Sequence, residues 1–512
     1  MANPPGVNVT VNSPSASVQT NSPTGTWFVT GLTAGGPVGV AVPVNSIQDF
    51  NNYFGSIVNG ALTGRTATSA TLYDSLDVYF REGGVRAYVS RVGAAGGSPV
   101  AATSVVGTNF LTFTATGKGT WANSANTSAA GLIINLTTGG TNGFSLSVTY
   151  NGVSLATSPL LFSNTDAISW VNSLAIPGIM CTAAINGTGA GSIPSTGSFY
   201  FTGGADGTTS EADWTTALTA FNVELGSGQV SAPGHGTAST VTWQQLCNHA
   251  STYNRVAILD SNPASTTASA LASDAASIQY AGAQAATDSS YAAMFAPWVK
   301  VPGIASTQPN TVAPTFTRTI PPSAVVAANI ASTDLTNDAN VPAAGVQNGA
   351  CNYALDVTQN FVASDRVTLN SAGVNLIRNI NGQVAVYGFR SLALDANWIM
   401  FNNVRFRMQI TRDLDVIAEP FVFAEIDGKG QIFARLAGAL SGQCQNYWLR
   451  NSIYGTNPED AFTVNVGPQI NTPATIAQGL INAQVNLRMA PQAEQVAITV
   501  TKYLVSSPLP AN

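Results

Sequence analysis

The sequence predicts a multidomain α/β protein: an α/β core built on a parallel sheet, an inserted all-β domain, a C-terminal α+β domain, and extended strand arms at both ends. Three observations support this. Apolar β-branched runs alternate with helical periods in two separate parts of the chain, which is typical of βαβ units. Between those parts lie short strand-like runs separated by Gly, Asn, Ser and Thr, as in a β-sandwich. Valines also alternate with polar residues near each terminus.

The α/β core is expected in two parts, residues 21–92 and 201–380. A helix carrying Trp214 opens the second part, with Thr208 and Glu211 as its predicted capping box. The other predicted elements of the core are a strand at 26–31, helices at 46–54 and 69–80, a strand at 85–92, a helix at 246–253, a strand at 255–260, a helix at 264–276 and the apolar run 292–301. This alternation predicts a parallel sheet.

Residues 93–200 are predicted to form the inserted β-rich domain, which we expect on the outside of an assembly. Its glycine-rich stretch 187–191 indicates a loop, because no strand–glycine–helix unit surrounds it. Residues 381–493 are predicted to form the C-terminal α+β domain. Its expected elements are a helix at 399–417 that ends before Pro420, a helix at 432–447, and strands at 462–466 and 479–489 that leave a sheet edge free.

Residues 1–20 and 494–512 are predicted to be the two arms. The apolar positions of their ladders are Val7, Val9, Val11, Val496, Ile498 and Val500. Proline and serine flank both ladders, so each strand is expected to pair with an edge elsewhere, including the edge of another copy. The arms therefore predict a protein that polymerises by strand exchange.

Charged residues make up only 9% of the chain, against roughly 25% in ordinary soluble domains. Because charges are costly to desolvate, a surface poor in them is easily covered by neighbouring subunits. A secreted or halotolerant β-rich protein is the alternative interpretation. The net charge is −6, and the sequence shows no basic patch. No direct contact with nucleic acid is therefore expected. No apolar stretch is long enough to cross a bilayer, and no signal peptide is visible, so a soluble, unexported chain without membrane insertion is expected.

No constellation of residues suggests catalysis. His235 is interpreted as a loop residue and His249 as a half-exposed helix residue, and their spacing fits no zinc motif. The four cysteines lie far apart and are expected to be buried thiols. We therefore expect no enzymatic activity, no metal site and no cofactor.

Arginine is concentrated between residues 378 and 412. Within this cluster Arg405, Arg407 and Arg412 are predicted to face an acidic partner surface. The alternative is a solvated helix face with local ion pairs to Asp413 and Asp415.

Several segments occur in a characteristic order along nearly the whole chain: PPGVNVTV, GLTAGGPVGVAVPVNSIQDFNNYFG, REGGVRAYVSRV, FTGGADG, SAPG, APWVKV, IPPSAVVAANIASTD, NNVRFRMQI and FARLAGALSGQC. Together they resemble the tail sheath proteins of contractile bacteriophages and related contractile injection systems. The sequence departs from the family pattern at Arg81 and Glu82, which replace the customary Asn, and at Ala324 and Ala328, where glycine is frequent.

This resemblance implies a core of subtilisin-like topology without the catalytic triad. It also implies a subunit that stacks as hexameric rings around a tail tube and contracts to drive the tube through the host envelope. The implied partners are copies of the chain itself, the tube protein, and the baseplate and tail terminator proteins. The implied location is the virion tail, assembled in the bacterial host cytoplasm. The sheath of a phage-tail-like bacteriocin or secretion device, and an unrelated β-rich surface or capsid protein, remain as alternatives.

Overall fold

The computed structural model describes residues 23–33, 35–54, 67–139, 143–174, 180–236, 241–279, 288–304 and 312–494. Its largest element is an eight-stranded sheet. Its strands, in spatial order, are Gln383–Val386, Val374–Ile380, Ala292–Ala296, Val256–Asp260, Gln229–Ser231, Trp27–Gly31, Ala87–Arg91 and Val42–Val44. The six central strands run parallel and the two edge strands run antiparallel. This is the parallel sheet that the sequence predicts.

Alternate residues of these strands point to opposite faces, and both faces are buried. Trp27 and Ile258 face one core, and Phe28 and Leu259 face the other. The helices Ala67–Arg81 and Pro322–Asp334 contribute to the first core. The helices over the second core are Glu211–Leu218, Val241–Thr252, Ala268–Gln279 and Ala363–Ser371. The elements Ile47–Phe54, Gly345–Asn348 and a small antiparallel sheet of Val312–Ile320, Val299–Ile304 and Asp356–Val357 complete this part.

The helix Pro322–Asp334 is buried on nearly every side. Proline at its first turn starts it, and alanines allow its neighbours to approach closely. A Cβ at Gly25 would lie 2.9 Å from the Cα of Ala331, so only glycine fits there. The Asp260 carboxylate caps the start of the helix. It accepts hydrogen bonds from the backbone N–H of Ser323 (2.6 Å) and from the Ser323 hydroxyl (2.8 Å).

Arg255 and His249 are buried beside the second core and contact each other there. Arg255 donates to the carbonyl oxygens of Phe221 (2.7 Å) and Asn222 (2.6 Å), and its guanidinium lies 3.8 Å from the Phe28 ring centre. Nη1 of Arg255 lies 2.7 Å from Nε2 of His249. Because the guanidinium only donates, His249 must accept as a neutral ring. The expectation of a half-exposed His249 is wrong, because this side chain packs inside.

The described residues of the insertion form two antiparallel sheets around their own core. One contains Gly197–Tyr200, Leu132–Gly139, Gly143–Tyr150 and Val153–Thr157, and the other contains Thr103–Val106, Leu111–Ala115 and Cys181–Ile185. The helix Asn164–Ser173 packs against the second sheet, so the domain is not purely β. Paired backbone hydrogen bonds join Gly96 to Thr208 and Val100 to Ala205, so the chain enters and leaves the domain side by side.

The chain divides into two compact units, residues 1–413 and 414–512. The second unit contains the end of the helix Phe401–Ala418, the helices Gln431–Leu449, Pro458–Ala461 and Pro473–Ala477, and a two-stranded sheet of Phe462–Asn465 and Gln484–Leu487. Its hydrophobic cluster centres on Leu436, Leu440 and Val466.

Several predicted boundaries differ from the structure. The core does not end at residue 380, because Gln383–Val386 is an edge strand of the large sheet. The helix predicted at 264–276 begins at Ala268, and the strand predicted at 479–489 covers only Gln484–Leu487. The helix expected after Thr208 is capped by Ser210 and Asp213 instead, since Asp213 accepts from the Ser210 N–H at 2.7 Å.

All four cysteines are buried free thiols, as the sequence predicts, and burial raises the pKa of Cys181, Cys247 and Cys351 to about 12. Within the described residues, no helix combines the length and apolarity needed to cross a bilayer.

The side-by-side ends of the insertion predict that it can be removed. Replacing residues 101–204 by a short Gly/Ser linker should leave a core that unfolds cooperatively, with a stability loss of about 1–3 kcal/mol from the severed hydrogen bonds. Circular dichroism during urea unfolding measures this. A truncated chain without a cooperative transition would show that the core depends on the insertion.

The buried His249 predicts an acid-sensitive contribution to stability. Burial, and secondarily the charge of Arg255, lowers the pKa of His249 to about 3 from 6.5. The unfolded chain therefore binds a proton that the folded chain does not, and stability falls as the pH drops below 6.5. At pH 5 the loss should reach about 2 kcal/mol relative to pH 7.

The variant His249→Gln should lack this component when urea unfolding is measured from pH 7 to pH 5. Comparison with the parent is essential, because burial raises the pKa of Asp260 to about 6 and gives a contribution of opposite sign. Equal pH slopes for parent and variant would contradict a neutral buried His249.

Candidate assembly surfaces

The predicted strand-exchange residues, Val7, Val9, Val11, Val496, Ile498 and Val500, all lie outside the described residues. The surface that could receive an added strand is visible. The two-stranded sheet pairs Val464 with Val485 in antiparallel register, and it has no third strand among the described residues. Its strands are only partly buried. An open edge of this kind offers unpaired backbone donors and acceptors.

Arg405 does not face outward, which corrects the sequence-based expectation. Its side chain has 0% exposure, and its Nη2 lies 2.7 Å and 2.5 Å from the two carboxylate oxygens of Asp334. The hydroxyl of Thr24 donates to the same carboxylate at 2.5 Å. A charge this deep must be paired, because desolvation is otherwise too costly. Arg405 therefore neutralises the last residue of the buried helix Pro322–Asp334.

Arg407 is also engaged within the chain. Its guanidinium lies 4.1 Å from the ring centres of both Tyr291 and Trp398. Burial lowers the pKa of Arg407. Arg412 is partly exposed. Contact of Arg407 or Arg412 with a partner stays a prediction.

Many of the other charges also lie inside. Arg318 bridges Asp74 and Asp77, with its Nη1 2.5 Å from Asp74. Glu82 accepts hydrogen bonds from the backbone N–H groups of Asn352 (2.9 Å) and Tyr353 (2.6 Å). The surface is therefore poorer in charge than the composition alone indicates, and sequence patterning did not reveal this because the partners are hundreds of residues apart.

A cleft of about 1100 Å³ lies where the insertion meets the core, at the carboxyl ends of the strands Trp27–Gly31 and Ala87–Arg91. Arg91 donates to the carbonyl oxygen of Gly36 at 2.7 Å. Asp206 accepts from the Thr120 N–H (2.9 Å) and hydroxyl (2.6 Å). Arg91 also donates to the carbonyl oxygen of Lys118 at 3.4 Å, and this bond and those between Thr120 and Asp206 join the insertion to the core. Among the described residues no group of His, Cys, Asp or Glu could hold a metal ion.

Phe423 occupies an unusual turn in the second unit. The carbonyl oxygen of Phe421 accepts from the Ala424 N–H at 3.2 Å, Val422 has φ −66° and ψ 131°, and Phe423 has φ +62°. This is a type II turn, whose third residue is normally glycine or asparagine. A bulky side chain there costs roughly 1–2 kcal/mol. The Phe423 ring is nevertheless fully exposed, at 104%.

Large exposed apolar side chains are frequent in this unit. They are Val416, Val422, Phe423, Leu449, Tyr454 and Leu480. The motifs of the sequence do not point to Phe423. The signal that could have pointed to Phe423 is the segment FVFA, which lies between two helices and contains no turn-forming residue.

No family model matches the sequence, and no curated protein matches it either. Solved structures do match in three dimensions. The sheath tail protein of Listeria innocua is 14% identical over 87% of this chain and 89% of its own, with a TM-score of 0.59. The corresponding protein of Desulfitobacterium hafniense is 14% identical over 90% and 93%, with a TM-score of 0.55. The sheath complex of an extracellular contractile injection system, PVC, in its contracted state is 17% identical over 98% of both chains, with a TM-score of 0.53.

These likenesses establish that the chain has the fold of contractile sheath proteins, as the resemblance in sequence implied.

The buried ion pair predicts a large effect of substitution at Arg405. The variant Arg405→Leu leaves the Asp334 carboxylate buried without its cation, which should lower the free energy of unfolding by about 3–5 kcal/mol. Urea unfolding followed by circular dichroism measures this. The control Arg435→Leu removes an exposed arginine and should change stability by less than about 0.5 kcal/mol. Equal effects of the two substitutions would contradict the structural role of Arg405.

Proposed function

We propose that the protein is the structural subunit of a contractile sheath that polymerises as stacked hexameric rings around a tail tube. The observation that carries this proposal is the fold, which matches sheath chains across almost the full length of both partners. The small number of surface charges also supports it. Polar, uncharged faces can exchange one set of neighbours for another without a large desolvation cost. Contraction then drives the tube through the host envelope.

Strand exchange is the proposed link between subunits. An arm of about five residues adds several backbone hydrogen bonds of roughly 0.5–1.5 kcal/mol each. Burial of its β-branched side chains adds about 1.5–3 kcal/mol apiece, and ordering the arm opposes this by roughly 1–2 kcal/mol per residue. A single arm therefore contributes little. Linkage through both arms of every subunit gives a cohesive mesh by multivalency.

Backbone links also suit a sheath that changes shape. Domains move as rigid bodies when flexible strands connect them, and strand pairing survives a rotation of the linked domains. In this proposal the open edge of the sheet Phe462–Asn465 with Gln484–Leu487 receives the arms, and the inserted domain projects outward. The further partners are the tube, baseplate and tail terminator proteins, in a tail assembled in the host cytoplasm.

A second candidate is the sheath of a phage-tail-like bacteriocin or secretion device. The favouring observation is that an extracellular contractile injection system is among the similar structures, alongside phage-type tail sheath proteins. Genes for a capsid beside this one would favour the phage tail, and their absence would favour the device.

Electron microscopy of the purified full chain tests the proposal. Hollow cylinders or stacked rings are expected, and their absence at high protein concentration would contradict a sheath.

Removal of either arm should abolish stable cylinders. Chains lacking residues 1–12, or ending at Pro491, should remain folded, with melting temperatures near that of the parent. The substitutions Val9→Pro and Ile498→Pro should act in the same way, through loss of a donor and a fixed φ. Val223→Pro cannot serve as a control, because Val223 lies in a short helix. The matched controls are Val9→Thr and Ile498→Thr, which keep a β-branched side chain at the same position. Truncated chains that polymerise like the parent would show that the arms do not join subunits.

A further inference from the structure

The left-handed backbone at Phe423 is costly for a bulky residue, and no described residue of the subunit offsets this cost by packing against the ring. Its turn position favours glycine, and its ring packs against no described residue, because it is fully exposed. Departures from local rules are retained where they serve a function. A ring held outward on a tight turn is suited to insertion into a partner, in the manner of aromatic anchors at protein interfaces.

The rim of this turn is acidic. Glu419 and Glu425 are exposed on either side of it, and neither forms an ion pair with any residue that the structure describes. Val422 beside the ring is exposed as well. We name residues 419–425 the Phe423 turn. It presents an apolar tip between two carboxylates, and a partner must offer an apolar surface bordered by cations.

The first unit carries such a surface beside the edge of the large sheet. We name it the basic patch, and its members are Val362, Arg366, Val367, Arg378 and Tyr387. Val362 and Val367 are 61% and 68% exposed. The Arg378 guanidinium lies 4.9 Å from the Tyr387 ring centre. Arg366 lies on the helix Ala363–Ser371, which packs against the strand Val374–Ile380 that carries Arg378. Burial, and secondarily the charge of Arg366, lowers the pKa of Arg378.

Among the residues that the structure describes, no neighbour neutralises either arginine of the patch. Arg366 donates from Nε to the carbonyl oxygen of Phe361 at 2.8 Å, and Asp365 on the same helix forms no ion pair with Arg366 or Arg378. Two adjacent unneutralised cations are notable in a chain with so few charges. Their charges are opposite in sign to those of the two carboxylates of the Phe423 turn.

We infer that the Phe423 turn of one copy docks on the basic patch of a second copy of this chain. The inference rests on the proposed self-assembly and adds a contact to it, separate from the arms. The two surfaces differ, so the contact is heterologous, and heterologous contacts that do not close produce helical growth. The ring supplies the apolar anchor, and the charges fix orientation and exclude other partners.

The variant Phe423→Gly tests the contact, because glycine suits the turn and the fold should not be harmed. We expect an unchanged or higher melting temperature together with an increase of at least about tenfold in the protein concentration needed for assembly, as for loss of an interface anchor. Light scattering and electron microscopy of the purified full chain measure assembly. Phe423→Trp should assemble normally. Phe162→Ala removes another exposed aromatic ring, outside the proposed contact, and should also assemble normally.

Charge reversal tests the identity of the partner surface. Glu425→Lys and Arg366→Glu should each weaken assembly, and the chain carrying both should recover it, because every contact then regains an opposite pair. Normal assembly of Phe423→Gly would overturn the inference and leave another protein, such as the tube, as the occupant of the turn. Failure of the double reversal to recover assembly would overturn the assignment to the basic patch. A parent chain that forms no assemblies would contradict the proposed function itself, and the contact with it.

Discussion

The structure depends on the buried helix Pro322–Asp334, whose two ends must be satisfied without water. Helix ends leave backbone groups unpaired, and a buried end needs partners from elsewhere in the chain. Asp260 supplies an acceptor at the start, and Arg405 neutralises Asp334 at the end. A carboxylate at a helix C-terminus is unfavourable with respect to the helix dipole, which makes the arginine necessary there. These bonds join the large sheet, the buried helix and residues 401–413 within the first unit.

The burial of ion pairs in a chain with few charges also bears on the proposed function. The strongest ionic contacts of the described residues, Arg318 with Asp74 and Asp77 and Arg405 with Asp334, are almost completely removed from solvent. Buried pairs hold elements in one geometry, because breaking them leaves an uncompensated charge. These pairs hold the first unit in one geometry, and a surface that carries few charges is easy to cover and uncover. Both properties suit a sheath that exchanges neighbours.

The second unit has the opposite character. Its cluster is small, its two-stranded sheet lacks a third strand among the described residues, and its turn at Phe423 exposes an aromatic ring. A two-stranded sheet alone is marginally stable, and gains most from added strands. Features that are liabilities in an isolated monomer would serve as attachment points in the proposed polymer, where partners supply the missing contacts.

The sequence by itself determined the alternation of strands and helices, the β-rich insertion and the burial of the cysteines, because period and composition are local properties. It also carried the family resemblance that the fold comparison supports. The order of the strands, the continuation of the large sheet to Val386 and the internal roles of His249 and Arg405 were decided only by the tertiary structure. An arginine on an amphipathic helix has the same local pattern whether it meets solvent or a carboxylate. For Arg405, that carboxylate lies 71 residues away in sequence, and only the folded chain brings the two together.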